Sequence, residues 1–343
     1  MAQSLAVKYR PKTWEEVVEQ NVIKAILQNQ INNNTVKNCY LFCGPAGTGK
    51  TTNARLFVKY LNGGSLTNVT ELDAASHNGV EDIRKLTEDS HYKPIGTKYR
   101  AYIIDECHVL SGQAWQAFLK ELEEPTPTSI FVFCTTDPQK IPATIISRVQ
   151  RYDFKKITHG GIVNRLKYII DAENNEGNNY AYEEDAISYI AKLADGGMRD
   201  SITLLEKTLA YDPKVTMESV TKALGTLDYK TMFDLTDCIC KMDKKGTIEI
   251  IETTYRNGLD LKQFIKNYNY FVLDLCKYDL FRDFEYLQIP STYSNRVSKY
   301  TKDDFAFFIS LLNEVINLNT TIKWESTPKP IIESTFVLLC SEG

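Results

Sequence analysis

The sequence predicts an α/β fold in which a parallel β-sheet covered by helices is followed by two all-helical regions. Through residue 155, short apolar runs alternate with helical patterns. These runs lack the strict alternation of apolar and polar residues that a half-exposed strand shows, so both faces of the sheet should be buried. After Thr158 only helical patterns are found, and no further strand is expected.

The first region contains the repeated strand–helix pattern. Its predicted strands are 39–43, 69–72, 101–105, 130–135 and 149–154. Its predicted helices are 50–61, 80–91, 112–123 and 143–147. Because helical connections join successive strands, the strands should run parallel.

The remaining regions are predicted to be helical throughout. A small domain has helices at 161–171, 183–194, 198–211 and 215–224, with a break at Asp195-Gly196-Gly197. A last domain has helices at 230–242, 246–257, 261–281, 303–318 and 330–339. The predicted domains are therefore 1–157, 158–224 and 225–343. Residues 264–286 are rich in Tyr and Phe, which fits either a surface for neighbouring subunits or an ordinary helical core.

Composition excludes several classes of protein. The chain has 343 residues, of which 43% are hydrophobic and 24% charged, as in an ordinary globular protein. It has no apolar run of about 18 residues and no apolar signal core, so a cytoplasmic protein without a membrane span is expected. The net charge of −4 disfavours a protein that coats nucleic acid over its whole surface. Any contact with DNA needs a local patch or several subunits.

The eight cysteines do not predict a metal site. They contain no C-x-x-C pair, which a zinc site of common spacing would need. Most of them lie in apolar runs such as CYLFC and FVFC. Reduced thiols in the core are expected, and Cys107 is interpreted as a packing residue rather than a nucleophile.

The strongest motif is a phosphate-binding loop between a predicted strand and a predicted helix. It comprises Gly44, Pro45, Ala46, Gly47, Thr48, Gly49, Lys50 and Thr51. Glycines let backbone N–H groups wrap phosphates, and the helix N-terminus adds favourable charge. Lys50 is expected to contact the β- and γ-phosphates of ATP, and Thr51 to hold Mg²⁺. An accidental glycine-rich turn is the weaker interpretation.

Two adjacent acids follow the third predicted strand. Asp105 is expected to bind the Mg²⁺ shell, and Glu106 to accept a proton from the attacking water. Two acids after an apolar run are common, but together with the loop they indicate hydrolysis of ATP. A threonine hydroxyl in the string Cys134-Thr135-Thr136-Asp137, at the end of another apolar strand, could contact the γ-phosphate or the water, or serve only in a turn.

Two arginines are further candidates. Arg148 follows a short predicted helix, where it is either a partner for the helix dipole or an arginine finger for the ATP of a neighbouring subunit. Arg199 lies near the start of a helix, where a cation opposes the helix dipole. It therefore needs another partner, either an ATP phosphate or the carboxylate of Asp200.

These motifs together resemble the DnaX (gamma/tau) family of bacterial and phage clamp-loader subunits, which are AAA+ proteins. The matching strings are KYRPKTW (8–14), GPAGTGKTT (44–52), LDAAS (72–76), VEDIR (80–84), IIDECH (103–108), LKELEEP (119–125), TTDPQKIPATIISR (135–148) and GGMRDS (196–201). The resemblance is dense over residues 5–210 and weak beyond 225. It implies an AAA+ P-loop ATPase domain, a helical lid and a helical collar that closes a ring of subunits.

The resemblance also implies roles for individual residues. Arg148 resembles a finger acting in trans, although Val149 replaces the usual cysteine, while Thr136 and Arg199 resemble sensors 1 and 2. Arg84 and Lys120 match positions that face DNA phosphates. The nucleotide is expected to contact Tyr9, Arg10, Pro11, Val18 and Gln20 on its adenine side, and Thr52 at the end of the loop motif.

The chain departs from the family in two places. Bacterial members carry a four-cysteine zinc module before LDAAS, whereas residues 61–68 here contain no cysteine, so no zinc is expected. The chain also ends at Gly343 without the long extra region of the tau form. The contacts that this region makes with helicase and polymerase are not expected.

The leading hypothesis is an ATP-hydrolysing motor subunit that loads a sliding clamp onto primer-template DNA. Its cofactors would be ATP and Mg²⁺, and its partners other loader subunits in a pentameric ring, the clamp and DNA phosphates. One alternative is another AAA+ enzyme, such as a helicase loader or a branch-migration motor. The other is a scaffold subunit that does not hydrolyse ATP, which the intact Lys50 and Glu106 disfavour.

Overall fold

A computed structural model describes residues 3–77, 79–224, 229–284, 286–300 and 305–341. The chain divides into two compact units, Met1–Ile169 with Ala194–Thr203, and Ile170–Leu193 with Leu204–Gly343. The predicted division into three domains stays a prediction, and its junction at 225 falls outside the described residues. The first residues of the predicted helix 303–318 also lie outside them.

The first unit is built on a five-stranded parallel sheet. Its strands are β1 Cys39–Cys43, β2 Val69–Asp73, β3 Arg100–Asp105, β4 Ser129–Thr135 and β5 Gln150–Asp153. Their spatial order is β2-β3-β4-β1-β5, and each pair of neighbours is parallel. The predicted α/β fold with a parallel sheet is therefore confirmed, and the predicted strands agree with the observed ones within one or two residues.

The central strands β1 and β4 are buried along their whole length. Successive side chains point to opposite faces, so Tyr40 and Phe42 enter one hydrophobic cluster while Leu41 and Cys43 enter another. This burial on both faces explains why the apolar runs lack alternation. The parallel pairing of the strands brings the carboxyl ends of β1, β3 and β4 to one edge of the sheet.

Helices make up most of the rest of the described chain. They are α1 Leu5–Lys8, α2 Asn21–Asn32, α3 Lys50–Leu61, α4 Val80–Ser90, α5 Gly112–Glu123, α6 Ala143–Ile146, α7 His159–Asn175, α8 Glu184–Leu193, α9 Met198–Tyr211, α10 Met217–Leu224, α11 Tyr229–Cys240, α12 Lys244–Arg256, α13 Leu261–Phe281, α14 Ser294–Val297, α15 Phe305–Ile322 and α16 Lys329–Leu339. Short 3-10 turns lie at Cys107–Val109, Pro138–Lys140 and Ser291–Tyr293. No helix in the described ranges is long and apolar enough to cross a membrane.

The second unit is mainly helical, but one expectation about it is wrong. The sequence predicts no strand after Thr158, yet β6 Ala181–Tyr182 pairs in parallel with β7 Lys214–Val215. Each strand has only two residues, too few to show a period of two. In the aromatic-rich segment, Phe264, Tyr268 and Phe271 are buried.

Candidate nucleotide site

The glycine-rich loop connects β1 to α3 through backbone conformations that require glycine. Gly44 has φ +148°, and a Cβ added there would lie 2.5 Å from the carbonyl oxygen of Phe154. Gly47 has φ +71°, and an added Cβ would lie 3.0 Å from Gly197 Cα. Any larger residue would be strained and would clash. The loop therefore has the shape that lets backbone N–H groups approach a phosphate closely.

Lys50 is the first residue of α3 and is only 6% exposed. Its Nζ donates to the carbonyl oxygens of Gly44 and Pro45, at 2.8 Å each. Burial lowers the pKa of Lys50, while the nearby carboxylate of Glu106 acts in the opposite direction. A cation is thus held directly at the loop, where the negative charge of a phosphate would lie.

Thr51 and Asp105 meet at the carboxyl edge of the sheet. Thr51 Oγ1 donates to Asp105 Oδ2 at 2.7 Å. The two residues are 54 positions apart, and the fold brings their oxygens into contact. Hydroxyl and carboxylate oxygens are ligands that Mg²⁺ prefers, so the donor set fits the predicted magnesium site.

Glu106 lies directly after β3 and has left-handed backbone geometry, with φ +46°. Its Oε2 accepts a hydrogen bond of 2.9 Å from Thr136 Oγ1. The same oxygen lies 3.2 Å from Nδ1 of His108. The fold therefore joins the predicted base to the predicted sensor threonine, which directly follows the neighbouring strand β4.

The start of α9 is attached to the phosphate-binding loop. The Met198 N–H donates to the carbonyl oxygen of Gly47 at 3.0 Å, and Arg199 is the next residue. Burial, followed by the positive charges of Arg55 and Arg199 among others, lowers the pKa of Arg10. Arg10 and Arg199 thus contribute positive charge to the same region.

Arg148 has different contacts. Its Nη2 forms an ion pair with Glu123 Oε1 at 2.8 Å, and its Nη1 donates to the carbonyl oxygen of Thr144 at 2.8 Å. Both partners belong to α5 and α6 rather than to the phosphate-binding loop. None of these contacts joins Arg148 to the other predicted site residues of its own chain.

The predicted adenine-side residues lie in the N-terminal segment. The carbonyl oxygen of Tyr9 accepts a hydrogen bond from Arg165 Nη2 at 2.9 Å. Gln20 Nε2 donates to the carbonyl oxygen of Lys155 at 2.7 Å. Thr52, predicted to contact the nucleotide at the end of the loop motif, is partly buried, as are all the adenine-side residues: Tyr9, Arg10, Pro11, Val18 and Gln20. The contact of these five residues with adenine stays a prediction, as does the contact of Thr52 with the nucleotide.

The two residues proposed to face DNA are exposed on neighbouring helices. Arg84 lies on α4 and Lys120 on α5, and these helices pack against each other. The contact of Arg84 and Lys120 with DNA phosphates requires this exposure and stays a prediction.

Sequence reasoning missed two polar residues at this edge. His108 lies inside the DECH string, and its contact with Glu106 would have followed only from the sharp turn after β3. Asn53 is fully buried and donates from Nδ2 to the carbonyl oxygen of Gly49 at 2.8 Å, which braces the loop. Cys107 is fully buried, and burial raises the pKa of its thiol well above the usual value, as expected of a packing residue.

Three family models match the chain in succession. Residues 64–158 match the delta subunit of DNA polymerase III. Residues 161–212 match the ATPase lid domain of a DNA polymerase III clamp-loader subunit. Residues 215–303 match domain III of the gamma and tau subunits of the same polymerase.

Curated relatives agree with these matches. DNA polymerase III subunit tau of Bacillus subtilis is 32% identical over 98% of this chain, which spans 63% of that relative. The chain therefore covers less than two thirds of that relative's length. DNA polymerase III subunit gamma of Buchnera aphidicola is 29% identical over 99% of both chains.

A solved structure supports the fold. The RuvB Holliday junction branch migration motor of Thermotoga maritima superimposes with a TM-score of 0.51 and 20% identity, over 67% of this chain and 79% of that one. This likeness shows that the chain has the AAA+ P-loop fold. The ordered family matches and the curated relatives show more: the chain belongs to the DnaX (gamma/tau) family of clamp-loader subunits.

Proposed function

We propose that the chain is an ATP-hydrolysing motor subunit of a clamp loader, which places a sliding clamp on primer-template DNA. The observation that supports this most is the grouping at one sheet edge of a buried lysine, a Thr–Asp oxygen pair and a glutamate bonded to a threonine. These are the cation, metal ligands and base that hydrolysis of a phosphoanhydride needs. Their presence disfavours a scaffold subunit without activity.

The residues divide the proposed chemistry among them. Lys50 would neutralise the β- and γ-phosphates, while Thr51 and Asp105 would hold Mg²⁺, which shields phosphate charge. Glu106 would take the proton of the attacking water. Thr136 would sense the γ-phosphate.

Two arginines complete the proposed site from different chains. Arg199 lies beside the loop of its own chain and would contact phosphate there. Arg148 pairs with Glu123 on the surface, with a side chain 36% exposed, which leaves it accessible to a neighbouring subunit. A planar guanidinium stabilises the charge of the transition state in such a position. We therefore propose that the ATPase site is completed only in a ring of loader subunits, pentameric by the family resemblance.

The remaining partners follow from the same proposal. Arg84 and Lys120 would contact DNA phosphates without reading sequence. The ring would hold the clamp in the ATP-bound state and release it on DNA after hydrolysis, in the cytoplasm. The nucleotide would be ATP with Mg²⁺, and no zinc is proposed.

Glu106→Gln tests the proposal directly, with purified clamp and primed DNA. The substitution keeps the size of the side chain but removes its basicity. ATP binding should persist while DNA-stimulated turnover falls by about 100-fold or more, the usual contribution of a positioned base. Turnover is followed by phosphate release, and binding by a fluorescent ATP analogue.

A matched control is Glu124→Gln, an exposed acid at the end of α5. It should hydrolyse ATP at the wild-type rate. Undiminished DNA-stimulated turnover in Glu106→Gln would refute the assignment of the base. Turnover that depends on Glu106 but is indifferent to clamp and primed DNA would favour another AAA+ enzyme.

A further inference from the structure

His108 faces the proposed base from the turn that follows it. Glu106 has left-handed backbone geometry, and the 3-10 turn Cys107–Val109 comes immediately after it. The chain therefore bends back, and the imidazole comes to lie beside the carboxylate. His108 Nδ1 is 3.2 Å from Glu106 Oε2 and 3.2 Å from Thr135 Oγ1. The side chain is 14% exposed, so water competes little for it.

The surroundings determine where the imidazole proton lies. A carboxylate oxygen only accepts hydrogen bonds, and an unprotonated Nδ1 would direct its lone pair at that oxygen. Thr135 Oγ1 already accepts a hydrogen bond of 3.0 Å from the Asp137 N–H. The Thr135 hydroxyl can accept from Nδ1 or turn its own hydrogen toward it, so it fits either tautomer. The carboxylate of Glu106 only accepts, and it favours the tautomer in which Nδ1 carries the proton.

We infer that His108 is a positioning residue for Glu106, an inference that rests on the proposed role of Glu106 as the base. Thr136 Oγ1 and His108 Nδ1 both contact the same oxygen, Oε2. They fix the rotation of the carboxylate and direct Oε1 to the water. When a γ-phosphate draws the Thr136 hydroxyl away, His108 is the donor that still holds Glu106 in place.

Three substitutions separate this role from simple packing. Asparagine places its amide nitrogen where the imidazole has Nδ1, whereas glutamine places it where the imidazole has Nε2. His108→Asn should therefore retain most of the activity. His108→Ala and His108→Gln should lose about 10-fold in the single-turnover rate constant of hydrolysis, as expected when a base is misplaced, with little change in the Kd for ATP. Hydrolysis is measured in single turnover on the full chain in its oligomer, and melting temperatures check that each variant folds.

Wild type and Glu106→Gln are measured in the same experiment. If wild type does not hydrolyse ATP, the proposed function fails. If Glu106→Gln is inactive but His108→Ala and His108→Gln match wild type, only the positioning role fails. Equal impairment of all three His108 variants would also overturn it, because the Nδ1 donor would then be irrelevant.

A second measurement does not depend on hydrolysis. Long-range ¹H–¹⁵N spectra distinguish a protonated Nδ1 from a protonated Nε2, and the signal of His108 among the four histidines is the one lost in His108→Asn. The inference requires Nδ1 to carry a proton in wild type. A neutral ring protonated only at Nε2 would contradict it.

Discussion

The two units of the molecule use buried or half-buried polar side chains for different purposes. At the nucleotide site of the first unit, Lys50 and Asp105 contact a loop and a hydroxyl that a phosphate and a metal ion would also contact. In the second unit, Asp274 is 1% exposed in α13, and its carboxylate accepts hydrogen bonds from the N–H groups of Gln288 and Ile289. The first arrangement can exchange its partners for a ligand. The second uses its partners to hold the chain.

The second arrangement includes side chains from two more helices. Lys192 Nζ, on α8, donates to the carbonyl oxygens of Leu287 and Gln288, at 2.8 and 3.2 Å. Tyr229 OH, on α11, donates to the carbonyl oxygen of Gln288 at 3.0 Å. Side chains thus satisfy the N–H groups of Gln288 and Ile289 and the carbonyl oxygens of Leu287 and Gln288 in the irregular segment 287–289. We call Lys192, Tyr229 and Asp274 the strap cluster.

The comparison predicts that changing Lys50 affects activity much more than stability. Lys50→Ala should reduce both ATP binding and hydrolysis, with turnover lower by about 100-fold or more. The melting temperature should change little, because burial already lowers the pKa of Lys50 and its removal relieves that cost. Calorimetry for ATP binding and a thermal melt make the measurement. The control is Lys59→Ala on the same helix, which should leave ATP binding and the melting temperature near wild type. A large fall in the melting temperature of Lys50→Ala would show that Lys50 also stabilises the fold.

Changing Asp274 should have the opposite effect. Asp274→Ala leaves the N–H groups of Gln288 and Ile289 and the nearby Lys192 without their acceptor or counter-charge. Breaking such buried bonds costs about 3 kcal/mol of unfolding free energy. Urea unfolding measures it, with the exposed Lys266→Ala of the same helix as control. Equal stability of the two variants would show that the strap cluster does not hold the segment.

The difference between the two units also explains how much of the fold and of the candidate site could be predicted from the sequence. Gly44–Thr51 follows a buried strand and opens a helix, so the sequence gives its place in the fold and its chemistry together. The acids after β3 and the threonine after β4 are found in the same way, because parallel strands end at one edge. Four helices, α3, α5, α9 and α13, have the bounds that the sequence predicts.

The features that were missed depend on contacts between distant residues or on weak local patterns. Helix α2 was not predicted: it buries only Ile23 and Leu27, and its N-cap residue Gln20 makes no capping hydrogen bond from its side chain. The pairing of β6 with β7 joins residues 33 positions apart. Asp274 in the middle of a helix looks like a solvent-facing acid until residues 287–289 are placed beside it.

The smallest predicted effect is a pH dependence of the unfolding free energy. It shows whether burial or the nearby N–H donors and Lys277 have the larger effect on the pKa of Asp274. Burial raises the pKa of Asp274 above its ordinary 3.8, against the opposing action of the Ile289 N–H, Lys277 and the Gln288 N–H. The native state therefore binds this proton more tightly than the unfolded chain does. The resulting stability is fully present below the unfolded pKa and is lost as the pH rises through the folded pKa.

Asp274→Asn supplies the reference, because asparagine does not titrate and the other carboxyl groups cancel in the difference. The unfolding free energy of wild type minus that of Asp274→Asn should increase as the pH is lowered from about 7 to about 4. Urea unfolding at several pH values measures this difference. A difference that decreases on acidification would mean that the N–H donors, with Lys277 and Lys192, outweigh burial. The donors that hold the segment 287–289 would then also stabilise the charged form of Asp274 in the folded protein.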